Sequence, residues 1–564
     1  MKKQGFLMGS FILGITMLIT KALGMIYRIP LTNILGGTGM GYYSSAYTVF
    51  MPLYAIAASG IPSAMSMVVA ESYAFERYKN IRRIKHVSLI GFTFISLLAS
   101  LLMIFLAYPI SKYISGDSKA YLCVIAIAPS ILAGSIMSVY RGYYEGLRNM
   151  LPTAVSEIIE SILRVAFGLG GAYLAIYIAN NSFVKNGTVF GQTVKNPDDI
   201  INAATPYISA FSLFGVTLST IIATIYCACR SRISGDGITK QMIESDIVTD
   251  RMRTIFKSVL SLAFPIAISV VITTIISMID LATIPPLIKR LLERNGDISL
   301  FKMIGSQIDY NDIPNFVYGS FVGLALTIFG LIPSLTGIFG KSSFANVATC
   351  YSKKDMNALT KSVNAALFST NFIAMPCSLG LMILSEPVLS LFFSTRPLEV
   401  SISVQPLMYL CIGMIFISIT VTMFSLLQAV GNVKAPLKIL AGGLVIKLIL
   451  NIALISVGPL NINGAAISTS ICYMYIGICA IRSFVKYTDV KIDLITTTIK
   501  PMFAGILSSI VILLGFIIAK ERYNNIISLF ISIIAGSIMY ILFMGLLSVF
   551  NKNTIKSLFS NTNI

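Results

Sequence analysis

The sequence predicts an all-α integral membrane protein of about fourteen transmembrane helices, arranged as two six-helix lobes in parallel pseudo-repeat with two more helices at the C-terminal end. Three observations predict it. Of 564 residues, 56% are hydrophobic and only 12% charged, with mean hydropathy +0.83, a balance that no soluble domain of this size could present on its surface. Apolar runs of about 20 residues, the length needed to cross roughly 30 Å of hydrocarbon, recur along the chain. The basic residues cluster in the short segments between those runs, as orientation signals do.

Taken in order, the first run spans 6 to 29. Lys2 and Lys3 ahead of it mimic a signal peptide, but the stretch continues to Ile29 with no convincing cleavage site, so it counts as a span. Gly36, Gly37, Gly39 and Gly41 follow in an outer loop, where they allow a tight turn into the second span, 42 to 70. Arg77, Lys79, Arg82, Arg83 and Lys85 close that span on the cytoplasmic side. Spans 87 to 109, 120 to 140, 152 to 179 and 203 to 228 complete the first set, the fifth opening at Pro152. A long inner segment, Arg230 through Lys257, leads to 258 to 284, 316 to 340, 362 to 384, 403 to 427, 436 to 457 and 464 to 481. Two further runs, 501 to 519 and 525 to 549, end the series.

The loops support this count. With the N-terminus inside, inner segments hold 27 of the 42 Lys and Arg, outer segments 11 and the spans four, so both termini are expected in the cytoplasm. The formal net charge of +19 is therefore an orientation signal, and nucleic acid is not an expected partner. The eight cysteines show no framework spacing and read as small hydrophobes. Cys227 and Cys229 lack nearby histidines, and the only His is His86, so no zinc site is expected.

An internal repeat emerges from the halves. Ile61-Pro62-Ser63 recurs as Ile332-Pro333-Ser334, each late in a span and followed by a basic inner loop. Asn149 precedes Arg164, and Asn432 precedes Lys447, by the same interval, with Pro152 and Pro436 opening the respective spans. Both halves start from the cytoplasm, so the repeat is parallel. The expected domains are an N-terminal lobe over 1–257, a C-terminal lobe over 258–485, and the last two spans over 486–564.

Four cations, Lys21, Arg28, Arg164 and Lys447, stand inside these spans. A lone charge at mid-bilayer costs at least about 2.5 to 3.5 kcal/mol on insertion scales, so each is a candidate for binding an anionic group. Lys21 and Arg28 are two helical turns apart and share a face, although Arg28, near the outer end, could also snorkel. Glu157, Glu160 and Arg164 fall at i, i+3 and i+7 on one stripe, which reads either as a self-satisfied Glu160–Arg164 pair or as the lining of a polar cavity. Lys447 has no acid within a turn and needs a partner from another helix. Asp280 could pair with Arg28 or serve a coupling cation.

Other motifs carry no chemistry. Gly337 to Ser342 resembles a phosphate loop, but Leu335 stands where the spacing needs glycine and no strand precedes it, so it reads as a helix end. With no nucleotide site, nucleophile or cofactor motif, the chain is expected to be a secondary transporter that needs no cofactor rather than an enzyme.

The stretch Lys21-Ala-Leu-Gly-Met-Ile-Tyr-Arg-Ile-Pro30, then Gly39-Met-Gly-Tyr-Tyr43 and Gly60-Ile-Pro-Ser63 to Glu71, resembles the opening of bacterial polysaccharide-export flippases. More narrowly, it is similar to the stage V sporulation protein B group, relatives of MurJ-type lipid II flippases in the multidrug/oligosaccharidyl-lipid/polysaccharide (MOP) superfamily. Tyr140-Arg-Gly-Tyr-Tyr-Glu-Gly146, Asn149, Pro152, Met278-Ile-Asp280, and Gln428 with Gly431, Asn432 and Pro436 agree. The resemblance implies lobes facing a central cavity and last helices that support a lipid-tail groove. It implies cargo of undecaprenyl-pyrophosphate-linked sugar or lipid II, a role in peptidoglycan or sporulation, and a place in the bacterial cytoplasmic membrane among its lipids and cell-wall synthesis proteins. Lys21 and Arg28 stand at or within one position of cavity-lining bases of those flippases. The arginine that they place in span eight has no counterpart here, since no base lies between Asn315 and Lys341; Arg164 or Lys447 would take that part.

Two rival readings are a MATE-type multidrug or cation antiporter and a non-transporting envelope-assembly scaffold. The first should offer acids to a cationic drug, yet the first span carries two bases and no acid. The second leaves the buried charges without a reason.

Overall fold

In the computed structural model, residues 6–113, 117–194, 196–233, 235–239, 242–243, 250–294, 304–305, 308–432 and 434–547 are described. Among them, thirteen helical stretches are long and apolar enough to cross a membrane. The only sheet among the described residues is a hairpin pairing Thr188–Val189 with Gln192–Thr193.

The difference between fourteen expected runs and thirteen stretches lies at the start. Ile12–Tyr73 is one helical stretch of 62 residues, which laid straight would reach about 90 Å, three bilayer cores. It therefore holds two crossings. The break falls at Gly36, whose φ of 63° and ψ of −171° interrupt helix α1 (Phe6–Tyr54). A left-handed φ costs glycine nothing and a side-chain-bearing residue about 1 kcal/mol or more, so the glycine-rich loop read from the sequence is this break.

The chain forms two compact units, Met1–Ala282 and Thr283–Ile564. The first contains α1, α2 (Ile61–Ala74), α3 (Tyr78–Phe105), α4 (Ala107–Tyr113), α5 (Tyr121–Ile127), α6 (Pro129–Gly146), α7 (Leu151–Asn186), α8 (Ile200–Ile233) and most of α9 (Met252–Arg294). Leu31 and Met40 of α1 pack with Ile127, Ala172 and Leu213 into one buried cluster. Ile61, Ile84, Tyr143 and Val259 join α2, α3, α6 and the start of α9 in another.

Helix α7 lies tightly along α8 because glycines remove side chains where the backbones meet. A Cβ on Gly215 would stand 2.2 Å from the Phe167 carbonyl oxygen, and one on Gly171 2.5 Å from that of Phe211. Small residues at a contact let membrane helices reach van der Waals packing, which drives association where lipid is as apolar as the helix surface. This contact fixes the rotation of α7, and with it the stripe Glu157, Glu160 and Arg164.

The second unit contains α10 (Ile313–Ser320), α11 (Leu326–Phe329), α12 (Leu331–Ser352), α13 (Met356–Ile383), α14 (Ser385–Phe392), α15 (Pro397–Ala429), α16 (Lys434–Ile455), α17 (Ile462–Thr488), α18 (Lys500–Lys520) and α19 (Asn525–Leu546). Helix α15 packs on α12, α13 and α17, and α18 on α13 and α19. The stretch Gly337 to Ser342, expected at a helix end, lies within α12 instead, its helical hydrogen bonds continuing to Ser352.

The repeated prolines occupy equivalent places in both units. A π-helical turn, Ala55–Ser59, precedes Gly60 and the Pro62-bearing start of α2. Another, Phe321–Ala325, precedes Gly330 and the start of α12, where Pro333 is the third residue. Proline suits a helix's first turn, where its missing N–H has no carbonyl to meet.

Candidate functional site

Helix α7 carries the most developed ionic cluster of the first unit. Glu160 and Arg164 are four residues apart, one turn, and the guanidinium Nη2 donates to Glu160 Oε1 at 2.7 Å. The second oxygen, Oε2, accepts from Arg141 Nη2 of α6 at 3.1 Å. Arg141 Nε in turn donates to Ser156 Oγ at 2.8 Å, and Thr220 of α8 reaches Glu160 Oε1 at 3.4 Å. One carboxylate thus bridges two guanidiniums.

The three side chains differ in exposure. The side chains of Arg141 and Glu160 are each 13% exposed, whereas Arg164 keeps 32%. Part of Arg164 therefore fronts open space, while its Nε is buried with no hydrogen-bond acceptor. An unpaired buried donor costs about 1 to 3 kcal/mol, so the guanidinium retains capacity for an incoming acceptor.

Tyrosines from α1 surround it. Tyr27, buried, shares its hydroxyl with Tyr43 at 3.2 Å and with Ser212 of α8 at 3.1 Å. Gly168, one turn beyond Arg164, makes room for that ring: a Cβ there would stand 2.5 Å from Tyr27 Cε2. Arg28 lies over the Tyr43 ring at 5.6 Å from its centroid, within cation–π range. Arg28 and Arg164 both act electrostatically on the Tyr27 hydroxyl. The structure thus gathers Arg28, Arg164 and Glu160 around a tyrosine cluster within one compact unit. Glu157 lies half-buried on the same helix stripe.

The other sequence-derived candidates lie on α1, α9 and α16. Lys21 is exposed on α1, two turns before Arg28. Asp280 is buried on α9 at 3% exposure, and Lys447 is buried on α16 at 2%. One turn past Lys447, Asn451 Nδ2 donates to Thr283 Oγ1 at 2.9 Å, and Asn451 Oδ1 accepts from Ser468 Oγ. The second unit also holds a cavity of about 460 Å³ lined by Glu386, Ser390, Ser394, Ser401 and Gln405, but no cation lines it.

Arg141 was missed by reading the sequence, and the reason is instructive. The apolar run ends at 140, which places Arg141 in an inner loop, yet α6 continues to Gly146 and buries the side chain. Arg141 thus joins the four sequence-derived cations as a largely buried base within a helical stretch long enough to cross a membrane. The signal was present in Tyr140-Arg-Gly-Tyr-Tyr-Glu-Gly146, whose aromatic and small residues can extend a helix without raising hydropathy.

Outside the spans, the segment after α8 is fastened to the same helices. Asp236 accepts from Tyr143 at 2.8 Å and from Arg82 at 3.4 Å, and Arg82 also reaches the Ile238 carbonyl at 3.0 Å. Burial pushes the Asp236 carboxyl up, but hydrogen bonds from Tyr143, the Ile238 N–H and Arg82 outweigh it and hold it below the ordinary aspartate range.

Comparison with known proteins shows what the chain is similar to. Residues 6–186 match the family model described as "Polysaccharide biosynthesis protein", and residues 317–499 the one described as "Lipid II flippase MurJ". The lipid II flippase MurJ of Bacillus subtilis is 23% identical over 480 residues, 83% of this chain and 80% of that protein. Stage V sporulation protein B of the same organism is 31% identical over 166 residues, 29% of this chain and 32% of that protein. Among solved structures, a lipid II flippase MurJ in an inward closed conformation superposes with a TM-score of 0.63 at 17% identity, covering 95% of this chain and 98% of that one. An inward-facing MATE family transporter of the MOP superfamily gives 0.59 at 13% identity, covering 85% and 98%.

Proposed function

We propose, from the premise that this chain is a MurJ- and stage V sporulation protein B-like protein with the MOP-superfamily fold, that it is a flippase. It is a multi-pass membrane transporter rather than an enzyme. Its cargo is a lipid-linked cell-envelope precursor, an undecaprenyl-pyrophosphate-linked sugar or lipid II, carried from the inner to the outer leaflet of the bacterial cytoplasmic membrane. Both termini face the cytoplasm, as the loop charges favour. Lobes over 1–257 and 258–485 do the carrying, 486–564 supports the lipid tail, and cell-wall synthesis proteins are its partners.

The observation that carries the headgroup assignment is the arrangement of Arg28 and Arg164 around the tyrosine hydroxyls. A pyrophosphate needs charge and directed donors together. Here two guanidiniums supply the charge, the Arg164 Nε is a donor without an acceptor, and Tyr27 and Tyr43 supply hydroxyls. Lys21, exposed two turns away on the same helix, offers a further positive charge on the approach. Lys447 is assigned to the same anionic headgroup, and Asp280, Glu157 and Glu160 to charge pairing or ion coupling.

Alternating exposure of this site to the two leaflets would move the headgroup while the prenyl tail stays in lipid. With two negative charges moving outward against an inside-negative potential, the step is downhill by about 4 to 5 kcal/mol per 100 mV, at about 2.3 per charge. Transport then requires no nucleotide.

The reading is tested by depleting the protein and identifying the lipid that accumulates in the inner leaflet. Build-up of a prenyl-pyrophosphate-linked saccharide is expected. Unchanged lipid intermediates together with lost export of cationic dyes would replace the reading with the antiporter one.

A further inference from the structure

Helix α6 offers a residue that lies behind the headgroup site. Arg141 is less exposed than Arg164, and its guanidinium donates to Glu160 Oε2 while Arg164 donates to Oε1. Glu157 and Glu145 also act on Arg141 electrostatically, and Glu145 accepts from Thr153 at 3.0 Å. Three carboxylates thus lie within reach of this one cation.

A single carboxylate at 2.7 Å from a single guanidinium forms a neutral pair with little pull on an incoming anion. A second guanidinium on the same carboxylate divides the Glu160 charge between two cations, so Glu160 neutralises Arg164 less fully than it would in a private pair. Of these three side chains, Arg164 is the most exposed and has a buried donor without an acceptor, while Glu157 and Glu145 act on Arg141. Ser156, holding Arg141 Nε at 2.8 Å, fixes the fork in place.

We propose that Arg141 is a positioning residue for the headgroup site: it holds Glu160 and shares its charge, so that Arg164 presents to a pyrophosphate positive charge that Glu160 does not fully compensate. The inference rests on the assignment of Arg164 to the headgroup. Arg141 touches no substrate; its effect is carried through Glu160.

The test measures binding of farnesyl pyrophosphate to the full chain in lipid nanodiscs, with farnesol as the uncharged control. Arg141→Gln is expected to weaken pyrophosphate binding about tenfold, the scale of coupling within a charged network. Adding Glu160→Gln is expected to bring affinity back to within about threefold of the starting protein, because it removes the charge that Arg141 offset. Arg141→Lys, which keeps the charge, is expected to retain binding, and it carries the test if Arg141→Gln does not accumulate in folded form. A merely structural Arg141 gives the opposite pattern: the double variant binds no better than Arg141→Gln, or Arg141→Lys loses binding at an unchanged melting temperature. Either result overturns the proposal. Arg164→Gln separates the two readings. If it leaves binding intact, the headgroup assignment itself fails; if it abolishes binding while Arg141→Gln has no effect, only the role of Arg141 fails.

Discussion

Glu160 stands one helical turn before Arg164 and holds its guanidinium at 2.7 Å, yet its other oxygen is already taken by Arg141. The pair is therefore no closed ion pair, and the charge that makes the membrane interior costly for an arginine is kept on the side that fronts open space.

Replacing Lys21 or Arg164 by Ala is expected to abolish flipping while leaving membrane insertion intact. Arg164→Lys should fall between, since an ammonium keeps the charge but loses the planar fork that grips two phosphate oxygens. Export of lipid-linked precursor in cells carrying each variant, normalised to membrane-inserted protein, checks this order.

Gly215→Ala should destabilise the first unit by about 1 to 3 kcal/mol, the usual cost of forcing atoms into a filled contact. The added Cβ would meet backbone at 2.2 Å, which no rotamer change relieves. Gly168→Ala meets only the edge of the Tyr27 ring. It is expected to lower pyrophosphate affinity more than stability. Thermal unfolding and ligand binding, measured together, separate the two.

Much of this was legible in the sequence, for reasons specific to membranes. Apolar length and basic loops are set by bilayer thickness and insertion, so the spans and the stripe Glu157, Glu160 and Arg164 could be read directly. Of the two readings left open at Glu160 and Arg164, the structure shows the ion pair, with Arg141 as a second partner of Glu160, and the lining of a polar cavity remains a proposal. Arg141 was not legible because hydropathy finds where a run of apolar residues ends, not where a helix does. Nor could a linear pattern show that Tyr27, Tyr43 and Ser212 meet, since Ser212 lies 185 residues from Tyr27.

Asn451→Ala is expected to cost about 1 to 3 kcal/mol through the partners it strands. Asn451 is fully buried and joins Thr283 of α9 to Ser468 of α17 through one side chain. A lowered melting temperature with transport retained at low temperature is the expected outcome.

The depressed pKa of Asp236 makes the segment after α8 acid-sensitive. A carboxylate held below its unfolded value contributes stability that is full above about pH 5 and lost as pH falls through the folded pKa, below about 3.9. Asp493, held low by Thr496 hydrogen bonds, acts in the same direction. Melting curves between pH 7 and pH 3 should fall more steeply for the native chain than for Asp236→Asn.

The most direct measurement is transbilayer movement of a prenyl-pyrophosphate-linked sugar in vesicles reconstituted with the purified protein, compared with a chain carrying Arg28→Gln and Arg164→Gln together. The native protein should move the lipid, faster when the potential drives negative charge toward the receiving leaflet, and the doubly neutralised protein should move none. Equal movement by both proteins would contradict a cationic headgroup site in the first unit.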